Sequence, residues 1–255
     1  MAERIASIQR RFQRALDLNS RKHSFASLRN AAEHWTRAGY EADEPDVIAD
    51  DEYLPFTDGS FDLVTSLLAL HCVNDLPGTL IQIRRALKPD GVFVAALFGG
   101  ETLRELRFAF AAAEAAALGG VSPRIAPFAD VRDLGGLLQR AGFALPVADL
   151  ERTTVRYREP MRLLADLRAL GETNVLVQRR PNFLSRRLLQ SVFTEYAQQF
   201  SDDQGRLIAT FDIVYLIGWA PHESQPKPLR PGSATARLAD ALDTVERPAG
   251  DKAGR

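Results

Sequence analysis

The chain has 255 residues, 45% of them hydrophobic, enough for one sizeable core or for one core with an insertion. Its 32 Lys+Arg balance 33 Asp+Glu, so no global charge argues for a nucleic-acid surface. The single cysteine, Cys72, excludes an intrachain disulfide framework and a cysteine-based metal cluster, and no apolar run reaches the roughly 18–20 residues of a membrane-spanning helix.

The N-terminal stretch MAERIASIQRRFQRAL gathers Ile5, Ile8, Phe12 and Ala15 on one helical face, with Arg4, Arg10, Arg11 and Arg14 elsewhere. It reads as an organelle-targeting helix or as part of the domain; running into a strand without a linker favours the domain. Arg14 to Leu18 reads as a buried strand that closes on an acid, Asp17. A helix is predicted over residues 26–38 with Gly39 as its C-cap, then a short strand over 47–49 and the acidic run Asp50-Asp51-Glu52. Residues 61–70 are nearly continuously apolar, as in a strand buried on both faces. Leu76, Leu80, Ile83 and Leu87 have helical spacing, Lys88-Pro89-Asp90-Gly91 makes a turn, and GVFVAALFGG follows as another buried strand. Strand, helix, turn and strand without a hairpin signal make a βαβ crossover and a parallel sheet.

Further along, helices are predicted over 102–117, 131–141, 161–170 and 183–200, with a more exposed strand at 153–157 and a last strand over 209–219. The predicted domain is 1–220, with a helical insertion at about 160–200 and a C-terminal tail over 221–255. The tail carries Pro226, Pro228, Pro231 and Gly232 and a short helix near 234–242, and reads equally as a strap over the domain or as a partner-contacting arm. Residues 246–255 have almost nothing apolar to bury and are expected to be disordered.

In a doubly wound sheet, ligands sit above the carboxyl ends of the strands. Three stretches fall at such ends: Asp17 to Ser20, Asp50 to Glu52, and Leu70 to Asp75. Carboxylates there accept hydrogen bonds from ribose hydroxyls or an adenine amine; equally, Asp50-Asp51-Glu52 forms a solvated loop or caps a helix. His71 reads as part of a pocket wall or as a capping or core residue. The four histidines, His23, His34, His71 and His222, never fall at paired ligand spacing, so no metal site is expected. Cys72 beside His71 reads as structural, because neighbours in a chain rarely face each other.

The stretch LPFTDGSFDLVTSLLALHCVNDLPGTLIQIRRALKPDGVFVAALFGGETLRELR resembles the centre of a class I S-adenosylmethionine-dependent methyltransferase. More narrowly it is similar to the alphaproteobacterial and mitochondrial family of respiratory complex I assembly factors, itself related to the malonyl-carrier-protein methyltransferase of biotin synthesis. GGVSPRIAPFADVRDLGGLLQRAGF, IVYLIGWAPHESQ and PLRPGSATARL carry the narrower likeness, and HESQPKPLRPGSA is its most specific part. The resemblance implies an α/β, Rossmann-like class I methyltransferase fold, a mostly parallel sheet with an antiparallel final strand and a helical insertion. It implies an S-adenosylmethionine site from Asp17, Asn19, Asp50, Asp51, Leu68 and His71, with Glu41 (or Asp43) as the ribose acid at a remnant second strand over 40–43. It also implies a complex I subunit as partner, and a setting in the cytoplasm of a bacterium or the mitochondrial matrix of a eukaryote.

Two departures from the family pattern matter. Family members follow the first strand with a loop of the D-L-G-x-x-x-G kind, where glycine permits positive φ and lets the cofactor lie on bare backbone. Here the residues are Asn19-Ser20-Arg21-Lys22-His23. Asn tolerates the left-handed region, so Asn19 keeps the turn, while Arg21, Lys22 and His23 add bulk and positive charge where a sulfonium would come near. Second, residues 19–48 are too few for a complete helix–strand–helix–strand unit, so one helix is missing. Three readings stay open: a methyltransferase acting on a protein or carrier-bound acceptor with a degenerate cofactor loop, a non-catalytic assembly protein that has lost the cofactor, and a protein-arginine hydroxylase. No general base is evident.

Overall fold

The central strands of the molecule are the near-continuous apolar runs of the sequence. Phe12–Leu18 (β1), Phe61–Leu67 (β4) and Leu87–Phe98 (β5) are buried over most of their length, as strands covered on both faces must be. The computed structural model describes residues 1–40, 44–180, 184–226, 238–241 and 243–245. Ala32–Gly39 (β2) and Val47–Ile48 (β3) extend the sheet on one side. Leu207–Trp219 (β7) and Ala144–Tyr157 (β6) extend it on the other, giving the order β3-β2-β1-β4-β5-β7-β6. β7 runs antiparallel to both β5 and β6, and every other pairing is parallel. This is the mostly parallel sheet with an antiparallel last strand that the family resemblance implies.

Alternation along each strand divides the core. Leu16, Leu18, Val64, Phe93 and Leu97 pack with Leu80 and Ile83 of α3 (Leu76–Ala86) and with Leu134 and Leu138 of α5 (Val131–Arg140). Ala15, Leu63, Val92 and Val94 pack with Phe12, Phe25 and Leu28. A third cluster joins α4 (Arg104–Leu118) to α6 (Pro160–Ala169) and α7 (Arg186–Gln199), the two helices inserted between β6 and β7. Caps begin the helices where the sequence offers them: Asp75 accepts from Gly78 N, Asp130 from Arg132 N and Ser185 from Leu188 N. α3 ends at Ala86 and α4, α5, α6 and α7 fall within a few residues of the expected helices.

The helix expected over 26–38 is absent. One turn, Lys22–Phe25 (α2), and a 3₁₀ turn over Arg29–Ala31 replace it, and Ala32–Gly39 pairs with β1 from Phe12↔Ala32 to Leu18↔Ala38. Pairing the free edge of β1 outweighs the modest helix preference of an alanine-bearing segment, and Trp35 covers Phe25 edge-on at 5.0 Å. The second strand is therefore whole and ends at Gly39, not a remnant over 40–43; residues 41–43 lie outside the described ones. No described residue between β2 and β3 is helical, which locates the missing helix there. Lys88-Pro89-Asp90-Gly91 does not separate α3 from β5 as a free turn. It bulges from the strand, since Phe61 opposes Leu87 while Leu63 opposes Val92, and Asp90 takes φ 63°. The N-terminal helix is short, Ala2–Ala6 (α1), because Phe12 already belongs to β1.

The chain forms two compact units, Met1–His222 and Glu223–Arg255. In the second, Leu238–Ala241 (α8) is helical; Pro228, Pro231, Gly232 and residues 246–255 lie outside the described residues. Among those described, no helix is long and apolar enough to cross a membrane.

Tyr196 pins the insertion to the sheet: its side chain is fully buried and its hydroxyl donates to Ile208 O at 2.8 Å. Tyr196→Phe is expected to cost about 1 kcal/mol in urea denaturation and Tyr196→Ala about 4 kcal/mol. Equal losses in the two variants would mean that the ring's packing contributes nothing.

Candidate functional site

Leu18 is the last residue of β1, and the next two side chains bind the neighbouring strands. Asn19 takes φ 54°, the left-handed conformation expected of it from the sequence, and is buried. Its Nδ2 donates to Asp51 Oδ2 at 2.7 Å, its Oδ1 accepts from Tyr40 N at 3.0 Å, and its own amide donates to Ala38 O at 2.8 Å. One carboxamide thus joins the ends of β1, β2 and β3. Gly39 makes room for it, because a Cβ there would overlap Asn19 Oδ1. Gly39 is consequently a strand-end packing residue and not a helix cap. Ser20 works on the other side: its hydroxyl donates to Asp17 Oδ1 at 2.6 Å and accepts from Leu67 N, the last residue of β4, at 2.9 Å.

Asp17 also accepts from Thr65 Oγ1 at 2.9 Å. Burial pushes its acid up to about 6, against the hydrogen bonds of Ser20 and Thr65 and the charge of Arg37. Burial likewise raises the Asp51 acid, opposed by the Asn19 hydrogen bond and reinforced by Asp50 and Glu52. Asp50 is exposed and accepts from Glu52 N at 2.9 Å. Glu52 accepts from Asn74 N at 2.9 Å and Asp75 N at 3.2 Å, tying the acidic turn to the start of α3. The capping reading of this run is therefore Glu52's, while Asp51 belongs to the Asn19 network.

The loop's basic residues part company. Lys22 Nζ pairs with Glu44 Oε2 at 2.6 Å on the exposed side. Arg21 reaches the opposite way, and its guanidinium lies against Gly171 (φ 74°), in the space a Cβ on that residue would fill. It spans from the end of β1 to the segment after α6.

His71 stands in a short 3₁₀ turn, Leu70–Cys72, beyond β4. Its side chain is only 3% exposed, held edge-on against Phe98 at 4.9 Å and Phe128 at 5.8 Å. Nε2 meets Glu172 Oε2 at 3.1 Å, and among the described residues Nδ1 has no hydrogen-bond partner. Burial draws the imidazolium down, but the neighbouring Cys72 and Glu172 outweigh it and push His71 up to about 9. The sequence expectation that adjacent His71 and Cys72 face apart does not hold: one donor atom from each of His71, Cys72 and Glu172 lies within 4.8 Å of the others. Glu172 arrives from 101 residues away.

These three side chains form one wall of a cavity of about 360 Å³ whose other walls include Leu103, Leu106, Phe110, Phe128 and Leu167. Its rim is held by a buried ion pair. Glu114, fully buried on α4, accepts from Ser122 N at 2.7 Å and Ser122 Oγ, and meets Arg124 Nη2 at 2.7 Å. Burial raises the Glu114 acid, but the Ser122 hydrogen bonds and the Arg124 charge hold it below the usual range.

The expected site residues therefore separate into groups. Asn19 and Asp51 are in contact; Asp17 is linked to them through the β1 backbone and faces β4; Asp50 lies on the exposed rim. Leu68, at φ 55°, lines a different, apolar hollow with Phe98, Tyr157, Leu170 and Phe211. His71 belongs to the cavity of Glu172, and Glu41 lies outside the described residues. Glu114 and Glu172 escaped the sequence reading, Gly39 and Tyr40 were given other roles there, and Ser20 was named only as part of the strand-end stretch.

The sheet order with β7 reversed between β5 and β6, and the polar cluster at the carboxyl edge, define a methyltransferase-fold protein. The family profile described as "Methyltransferase domain" matches residues 11–95. Among solved structures, a candidate methyltransferase of Bacillus halodurans C-125 shares the fold with a TM-score of 0.57 at 16% identity, over 87% of this chain and 99% of that one. The mitochondrial arginine-hydroxylase NDUFAF5 of Rattus norvegicus is 41% identical over 253 residues, 94% of this chain and 74% of the relative. NDUFAF5 of Danio rerio is 39% identical, covering 94% and 78%. A malonyl-[acyl-carrier protein] O-methyltransferase of Laribacter hongkongensis is 37% identical over 78% of this chain and 62% of its own length. The chain belongs to the NDUFAF5 family of methyltransferase-fold proteins.

Asn19→Ala removes the partners of Tyr40 N and Asp51 and adds left-handed strain. It is expected to lower stability by about 3 kcal/mol in urea denaturation, with Asn19→Gly about 1 kcal/mol better; indistinguishable variants would contradict the left-handed role. For Asp17 the folded-state acid lies at about 6 against an ordinary 3.8, so the folded chain holds the proton more tightly than the unfolded one. Its contribution is full below about pH 4 and is lost as pH rises towards 6. Urea midpoints measured across that window should fall less steeply in Asp17→Asn than in the natural chain, and parallel curves would refute the assignment.

Proposed function

We propose that this chain is an arginine-directed member of the family, which receives an arginine side chain of a protein partner in the His71–Glu172 cavity and works without tightly bound S-adenosylmethionine. The partner is a subunit of respiratory complex I, as the family resemblance implies. The observation that carries the reading is the cavity itself. Arginine presents a long apolar stem and a planar charged fork, and this cavity offers Leu103, Leu106, Phe110 and Leu167 to the stem and the Glu172 carboxylate to the fork. Glu172 has a second oxygen beside the one facing His71. The name of the NDUFAF5 relatives, arginine-hydroxylase, supplies the same acceptor.

The residues at the β1 end do not fit a tight S-adenosylmethionine site. The Asn19 carboxamide fills the gap between Gly39 and Asp51, the Asp51 carboxylate is taken up by it, and the same loop carries a permanent cation, Arg21, unfavourable to a sulfonium. Methyl transfer is the second reading. The left-handed turn at Asn19 and the 37% identity to a malonyl-carrier-protein methyltransferase favour it.

Calorimetry separates the two. The natural chain is expected to give no heat with micromolar S-adenosylmethionine, and the double variant Asn19→Gly, Arg21→Gly to gain binding. Micromolar binding by the natural chain would sink the first reading. In parallel, an arginine-bearing peptide of the partner should bind at least about tenfold tighter than its lysine counterpart, and Glu172→Gln should erase the difference. Equal affinities would remove the arginine assignment.

A further inference from the structure

We propose that His71, Cys72 and Glu172 form a binding site for one divalent transition-metal ion of the zinc or ferrous type, opening into the cavity. The donor set is a borderline imidazole, a soft thiol and a carboxylate, the combination that selects such ions over calcium or magnesium. The three donor atoms already lie within 4.8 Å of one another. Ligand distances of about 2.0–2.3 Å require them to close to roughly 3.5–4 Å, a movement within the reach of the Cys72 and Glu172 rotamers.

The His71 side chain is 97% withdrawn from solvent, and its Nε2 already faces the Glu172 carboxylate at 3.1 Å, so two of the three donors are held together by the fold. Phe98 and Phe128 fix the ring's plane, so the imidazole is oriented before anything binds. Three protein donors leave at least one coordination position for water or an acceptor, as in open metal sites. The cavity of about 360 Å³ supplies the space on that side. Spacing along the sequence could not show this group, because the carboxylate lies 101 residues from the histidine.

The proposal shares the cavity with the arginine reading but not its test, which uses neither peptide nor cofactor; its failure leaves that reading standing. Purified full-length protein is titrated with Co²⁺. One equivalent should bind with a thiolate-to-cobalt charge-transfer band. Cys72→Ser should lose the band, and Glu172→Gln should weaken binding by at least about tenfold. Cys72 is the chain's single cysteine and is exposed, so its alkylation rate is an independent readout: Zn²⁺ should slow it in the natural chain and do so less in Glu172→Gln. Absence of the band, equal cobalt affinity in the natural and Glu172→Gln proteins, or alkylation indifferent to Zn²⁺ would each overturn the site.

Discussion

The carboxyl edge of the sheet depends on how the end of β1 satisfies its neighbours. Parallel strands finish with backbone groups that have no further strand to pair with, and these must find a side chain, water or a ligand. In this protein two consecutive side chains meet the demand. Asn19 serves Tyr40 N and Asp51 towards β2 and β3, and Ser20 serves Leu67 N towards β4 while holding Asp17. The network is buried, so each bond is made in a medium where leaving it unmade is expensive. A glycine loop leaves such groups for a cofactor to use; Asn19 and Ser20 use them within the chain.

The second half of the molecule is built on different terms. The insertion of α6 and α7 packs on α4 and β7 around Tyr196, and Glu114 with Arg124 shapes the segment that rims the cavity. His71 brings the two halves together, since it follows β4 directly and meets Glu172 beyond α6. Arg21 makes the same crossing from β1 by lying against Gly171. Both links end on consecutive residues, 171 and 172.

Much of this was legible before any coordinates. The buried runs of β1, β4 and β5, the α3 crossover and the positions of α4 to α7 follow from apolar continuity and helical spacing. β2 was not legible, because Ala26 to Ala38 carries alanines compatible with a helix, and what decides the matter is the unpaired edge of β1, a tertiary demand. The Lys88 to Gly91 bulge has the composition of a turn and was read as one; only the register with β4 reveals that the strand resumes across it. Asn19 was legible as a left-handed residue from its chemistry. Its bond to Asp51, 32 residues away, was not, nor was Glu172, whose surroundings in GETN resemble any helix-terminating loop. Long-range polar pairs leave no periodic trace.

The central claim, that side chains of the β1 loop already occupy the groups a cofactor would engage, is tested most directly by amide hydrogen exchange at Tyr40 and Leu67. Both amides donate to loop side chains, Asn19 and Ser20. The account predicts that both are protected in the cofactor-free protein and that saturating S-adenosylmethionine leaves their rates unchanged. Rapid exchange at both positions that slows only when S-adenosylmethionine is added would contradict it.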